Sequence, residues 1–235
     1  MWVGARVRRR WYFGAVEPTP KRGLDLRIVL SLVALVLVAG IVALLVSGGS
    51  SSTGTAAQSS AATGHFEAAG LLTPIRQAPP LALHNYLGQP VNIDSYRGKA
   101  VLVTFLYTNC PDICPLITSQ LRVAQNLMGK ATASKAQIIA VSVDPRGDTS
   151  KAVAAFLARH EMTGRMQYLV GSAHELGKVW QAWGVGSERD AQKPEFINHS
   201  GLIYGIGGSG KRITIYSPQF RPSEIAHDVP LLAAS

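Results

Sequence analysis

Only two cysteines occur in 235 residues, Cys110 and Cys114. So low a count excludes a disulfide-braced scaffold. No further cysteine and no H-x-x-x-H pattern accompanies them, so a four-ligand structural zinc site is excluded as well. Charge is scarce: 16% of residues are Asp, Glu, Lys or Arg, with 14 acidic against 23 basic and a net charge of +9. The basic excess is not a nucleic-acid signature. Residues 1–27 hold seven Lys/Arg against Glu17 and Asp25, and the remaining excess is spread along the chain without a basic run. Charge is missing altogether from residues 28–46, a Val/Leu/Ala/Ile stretch broken only by Ser31 and Gly40.

That stretch is long enough to cross a hydrocarbon core of ~30 Å as a helix. It exceeds the about 7–15 apolar residues of a cleavable signal peptide. An uncleaved, single-pass transmembrane helix is therefore expected. The basic flank of residues 1–27 should stay in the cytoplasm and the C-terminal part should be extracytoplasmic at the cell membrane. Residues 47–64 are uncharged and rich in Gly, Ser, Thr and Ala, the composition of a flexible linker. Residues 65–235 remain as one domain with enough chain for a proper core.

Within that domain, residues 100–107 (AVLVTFLY) form an almost continuous apolar run, which predicts a strand covered on both faces. The two cysteines follow directly. A helix is expected over 116–128, with Leu116, Leu121, Val123, Leu127 and Met128 as its apolar positions, Asp112 as N-cap and Pro115 in the first turn. Both sulfurs would then lie at the positive end of a helix and just past the carboxyl end of a central strand, where thiolates and ligands gather. Upstream, residues 81–85 and 90–93 predict a short hairpin. Downstream, strands are expected at 137–143 and 166–170. Helices are expected at 149–160, capped by Asp148, and at 173–183. Residues 184–195 read as a surface insertion. Strands at 201–206 and 212–216 joined by Gly207-Gly-Ser-Gly210 read as a hairpin, and a helix over 222–229 closes the chain. This order predicts an α/β, thioredoxin-like domain, a central mixed sheet flanked by helices, with an N-terminal hairpin extension.

The cysteine pair admits three chemistries. A structural disulfide would close only a five-residue loop and constrain the unfolded chain little. A redox-active dithiol suits the position, but redox motifs of this fold use C-x-x-C whereas three residues intervene here. Two thiolates four residues apart can also converge on a soft ion such as Cu(I) with one further donor. Of the histidines, His65, His84, His160, His174 and His227 read as surface, hairpin or helix residues. Asp144 reads as a turn residue beside the site, Trp180 and Trp183 as packing residues, and Tyr107 as a core or site-lining residue.

Cys110-Pro-Asp-Ile-Cys114-Pro115, Ser142-Val-Asp-Pro145 with Asp148-Thr149, and His199-Ser200 before an apolar strand ending in Tyr204 occur in that order. In these motifs the chain resembles the Sco/SenC family of membrane-anchored copper proteins that serve cytochrome c oxidase assembly, over roughly residues 79–225. The resemblance implies a metal site of Cys110, Cys114 and His199 holding one copper ion, Cu(I) and in some states Cu(II). It implies a metallochaperone rather than an enzyme, with the copper-receiving oxidase subunit and an upstream thiol reductant as partners. A thiol–disulfide oxidoreductase acting on the recipient's cysteines is the alternative, and a redox-sensing module a third reading. Asn198 stands where the family usually has Asp, and Gly207-Gly-Ser-Gly210 replaces a D-x-x-G turn.

Overall fold

The computed structural model describes residues 64–189, 191–192 and 197–235. The basic segment 1–27, the span expected at 28–46 and all but the last residue of the 47–64 linker lie outside the described residues. Among the described residues no helix is long and apolar enough to cross a membrane.

The apolar run at 100–107 becomes strand β4 (Ala100–Leu106), every residue of which is buried. Burial on both faces requires neighbours on both sides and layers above and below. β4 pairs in parallel with β5 (Ala136–Ser142) and antiparallel with β9 (Ile203–Ile206). Outward on one side, β5 pairs in parallel with β6 (Met166–Val170), which meets the antiparallel hairpin β2 (Ala82–Asn85) and β3 (Pro90–Asn92). On the other side β9 pairs with β10 (Lys211–Tyr216) and then with β1 (Gly70–Gln77), both antiparallel. The result is a mixed eight-stranded sheet among the described residues, with helices packed on it, as in thioredoxin-like folds.

Among the described residues it is flanked by α1 (Ile113–Ala133, kinked at Gly129 with φ 67°), α2 (Ser150–Arg159), α3 (Ala173–Trp183) and α4 (Pro222–Ala233). α1 packs against α4, and α4 also reaches β4. A Cβ at Gly205 would meet Leu232 of α4, so that face of β9 belongs to α4. Its neighbour Tyr204 points to the other face, where its ring meets Trp183 of α3 at 5.6 Å and Phe105 at 6.4 Å. The cysteine-bearing β4–α1 corner is thus wedged between two packed layers. α3 begins with a capping box between Ser172 and Glu175, and Gly184 ends it at φ 69°, a left-handed conformation that glycine adopts at little cost.

Two expectations are corrected here. Of the five apolar positions expected in α1, Leu121 is fully buried and Met128 is partly buried against the core, while Leu116, Val123 and Leu127 are 40%, 37% and 60% exposed. The buried stripe is Cys114, Ile117, Thr118, Leu121 and Ala124, which shares one helix face. β1 was not expected at all. Its sequence, GLLTPIRQ, has a central proline and mostly exposed side chains, tolerable only because it is an edge strand paired on one side. The segment before β1 is held by the buried Asp228, whose carboxylate accepts from the Glu67 and Ala68 amides at 2.8 and 3.0 Å and from the Tyr216 hydroxyl at 2.9 Å.

Candidate metal and thiol site

β4 ends at Leu106, and Tyr107 leads into a tight turn in which the Cys110 amide donates to the Tyr107 carbonyl at 3.3 Å. Asp112 caps α1 through the Ile113 amide, as its position after the turn leads one to expect. Cys114 therefore sits in the first helical turn, and its free amide donates to Cys110 Sγ at 3.3 Å. A helix-terminal N–H aimed at sulfur favours the thiolate. Cys110 and Cys114 are 6% and 0% exposed, and both are free thiols.

The third predicted residue arrives from far along the sequence. His199 ends β8 (Ile197–His199), which pairs antiparallel with β7 (Ser187–Arg189). The segment expected to be a plain surface insertion thus contributes one strand of the ribbon that carries the histidine. His199 Nε2 lies 3.7 Å from Cys114 Sγ, and Nδ1 lies 3.2 Å from the Ser200 carbonyl. A carbonyl can only accept, so Nδ1 carries a proton there, and Nε2 is the ring nitrogen that faces the sulfurs. Asn198 is exposed, and strand alternation turns it away from the His199 face. His160, by contrast, packs tilted against Phe156 with ring centroids 4.6 Å apart, and His227 pairs with Asp228 at 2.8 Å.

Cys110, Cys114 and His199 are thus brought together without forming a closed cluster. Among the described residues no group of three or more His, Cys, Asp or Glu side chains is already spaced to hold an ion. What they share is a proton. The hydrogen bond with Cys114 holds the Cys110 thiol well below its ordinary range, helped by His199 and the Cys114 amide and opposed by burial. The same hydrogen bond, with burial, pushes the Cys114 thiol up. Of the two sulfurs, Cys110 is therefore the one favoured as thiolate and Cys114 the one favoured to keep its proton. In the reduced chain, iodoacetamide should therefore alkylate Cys110 in preference to Cys114, at a rate slowed by burial but nearly constant between about pH 5 and pH 7, where an ordinary thiol of pKa ~8.5 is mostly protonated. Peptide mapping should find Cys114 largely unmodified. Equal labelling of the two, rising tenfold per pH unit, would contradict this assignment.

The S-V-D-P-x-x-D stretch proves to be the support of the cysteine turn. Asp148, expected to cap a helix, is 5% exposed and does not cap; Thr149 caps α2 through the Ala152 amide. Asp148 Oδ1 accepts from both the amide and the hydroxyl of Thr108 at 2.8 Å. Oδ2 accepts from Ser142 Oγ at 2.6 Å and from the Tyr168 hydroxyl at 2.9 Å. Burial raises its pKa, against the hydrogen bonds, which lower it. Asp144 is a buried turn residue whose Oδ1 accepts from the Arg146 amide at 3.3 Å, and Gly147 is required beside it, since a Cβ there would run into the Asp144 carboxylate. Trp180 donates to the Ser142 carbonyl at 3.0 Å and Ser187 to the Val143 carbonyl at 3.1 Å, so α3 and β7 are tied to the same loop.

A model of the SCO1/SenC family matches residues 73–234. The mitochondrial SCO1 homolog of Homo sapiens is 25% identical over 154 residues, covering 64% of this chain and 50% of that protein. The SCO1 homolog of Bacillus subtilis is 27% identical over 145 residues, 60% of this chain and 74% of that protein. The match thus spans about half the length of the human relative. Among solved structures, Bradyrhizobium japonicum ScoI with copper bound is 28% identical with a TM-score of 0.60, covering 67% of this chain and 99% of that one. The apo Sco1 structure from Thermus thermophilus, 23% identical with a TM-score of 0.62, shares the fold. With a family model matched over residues 73–234, which include all three motifs and every strand of the main sheet except the first residues of β1, the chain belongs to the SCO1/SenC family.

Proposed function

We propose that this chain is a membrane-anchored metallochaperone that carries one copper ion on Cys110, Cys114 and His199 and delivers it for assembly of the copper centre of cytochrome c oxidase. The observation that carries this reading is the approach of His199 Nε2 to Cys114 Sγ, at 3.7 Å, with the Cys114 amide in turn donating to Cys110 Sγ at 3.3 Å. Two soft sulfurs and one imidazole nitrogen form a donor set suited to Cu(I) that also accommodates Cu(II). The copper is cargo, and transfer proceeds by exchange of its ligands for those of the recipient. Residues 28–46 anchor the chain, 47–64 tether it, and the 65–235 domain works outside the cytoplasm. That compartment is oxidising, so the two thiols need an upstream reductant before each loading.

A thiol–disulfide oxidoreductase that keeps the recipient's cysteines reduced is the second reading, favoured by the shared proton between Cys110 and Cys114. One experiment separates the two. The full-length chain, purified in detergent and reduced without oxygen, should retain about one Cu(I) per chain. Its insulin reductase activity should be low, because C-x-x-x-C departs from the redox spacing. Rapid disulfide turnover with no copper retained would put the second reading first.

A further inference from the structure

Tyr107 touches both halves of the site. It lies at the end of β4, three residues before Cys110, and is 2% exposed. Its hydroxyl accepts a hydrogen bond from the Ile197 amide at 3.3 Å, at the first residue of β8. Its ring meets the His199 ring edge-on, with centroids 5.6 Å apart and planes at 80°. Among the described residues β8 pairs with β7 alone, in a two-stranded ribbon separate from the main sheet. A two-stranded ribbon has little stability of its own, so the place of His199 depends on what holds β8 to the body of the domain.

We propose that Tyr107 is a positioning residue: its hydroxyl and ring hold β8, and through it His199, against the cysteine turn. The imidazole is thereby pre-placed as third donor, and less ordering is required when an ion is captured. This rests on the copper-carrier reading for its binding readout, but the positioning itself has a readout that needs no metal.

The test uses the full-length chain carrying Tyr107→Phe, which keeps the ring and removes the hydroxyl. In the metal-free, reduced protein, hydrogen exchange of the peptide containing the Ile197 amide should accelerate about 5- to 10-fold, the loss of one hydrogen bond. Peptides from β4 and β5 should exchange as in the parent, showing that the domain is intact. Cu(II), which depends more on the imidazole, should bind about 10-fold more weakly, in the range of outer-shell substitutions. Cu(I), held by two thiolates, should change little. In a His199→Ala background, adding Tyr107→Phe should cost no further Cu(II) affinity, because the residue acts through the histidine. Unchanged Ile197 exchange, or an undiminished Cu(II) effect in that background, would overturn the proposal. A parent chain that retains no copper would defeat the carrier reading, while the exchange result would still decide whether Tyr107 holds β8.

Discussion

Replacing Cys114 with serine should weaken Cu(I) binding by more than about 100-fold, since even residues behind the ligands typically contribute 10- to 100-fold. The substitution is nearly isosteric, at a position fully enclosed in the first turn of α1. The fold should therefore tolerate it, and the loss should be one of chemistry. A hydroxyl is a hard, neutral donor and a thiolate a soft anionic one, and Cu(I) discriminates strongly between them. Cys110→Ser should cost a similar amount, because it removes the sulfur that carries the charge. His199→Ala should spare Cu(I) more than Cu(II), the harder of the two ions. His160→Ala is the control. That ring packs tilted against Phe156, and its loss should leave copper binding unchanged. Competition titrations against a Cu(I) chelator of known affinity would read these differences.

Asp148→Ala should be the most damaging substitution that touches no proposed ligand. It would leave the Thr108 amide and the hydroxyls of Thr108, Ser142 and Tyr168 without their shared acceptor, all at a nearly buried position. Each orphaned buried donor costs about 1–3 kcal/mol, offset in part because the carboxylate is itself expensive to bury. A net loss of about 3 kcal/mol corresponds to a fall in melting temperature of roughly 6–12 °C for a domain of this size. The turn that places Cys110 would lose its main brace, so copper affinity should fall as well. Burial raises the Asp148 pKa above its ordinary 3.8, so the folded chain holds that proton more tightly than the unfolded chain. Its contribution to stability is therefore greatest below about pH 4 and declines as pH rises through the raised value. The stability gap between the parent and Asp148→Asn should narrow over that window and stay flat above it. Melting curves from about pH 4 to pH 8 would show a widening gap if the sign were wrong.

Much of this architecture could be read from residue order alone, for identifiable reasons. β4 announces itself because a strand buried on both faces must be apolar without alternation. The corner after it follows from Asp112 and Pro115, whose roles at a helix start are local. α3 was expected at 173–183 and spans Ala173–Trp183 because its cap, its apolar face and its terminal glycine agree. Where tertiary context decides, the sequence was a poor guide. Leu116, Val123 and Leu127 are apolar yet face outward, since the sheet meets α1 on the Cys114 and Ile117 side. Asp148 has the right type and place for a cap, and only the approach of Thr108 and Tyr168 makes it the centre of a buried network instead. Nothing local to residues 187–189 signals a strand; its partner, β8, is what makes it one. Cys110 and Cys114 could be paired by their spacing, but His199, 85 positions from Cys114, entered the site only through its resemblance to a family motif. Its Nε2 lies 3.7 Å from Cys114 Sγ, a proximity that nothing local to residue 199 signals. The predicted membrane span lies outside the described residues and stands on hydropathy and flanking charge.

X-ray absorption at the copper edge, on the full-length chain loaded with Cu(I) and on its His199→Ala variant, tests the central claim most directly. The parent should show two sulfur scatterers and one imidazole nitrogen, and the variant should keep both sulfurs and lose the imidazole signal. A parent spectrum with fewer than two sulfurs, or an imidazole signal that survives His199→Ala, would contradict the site described by Cys110, Cys114 and His199.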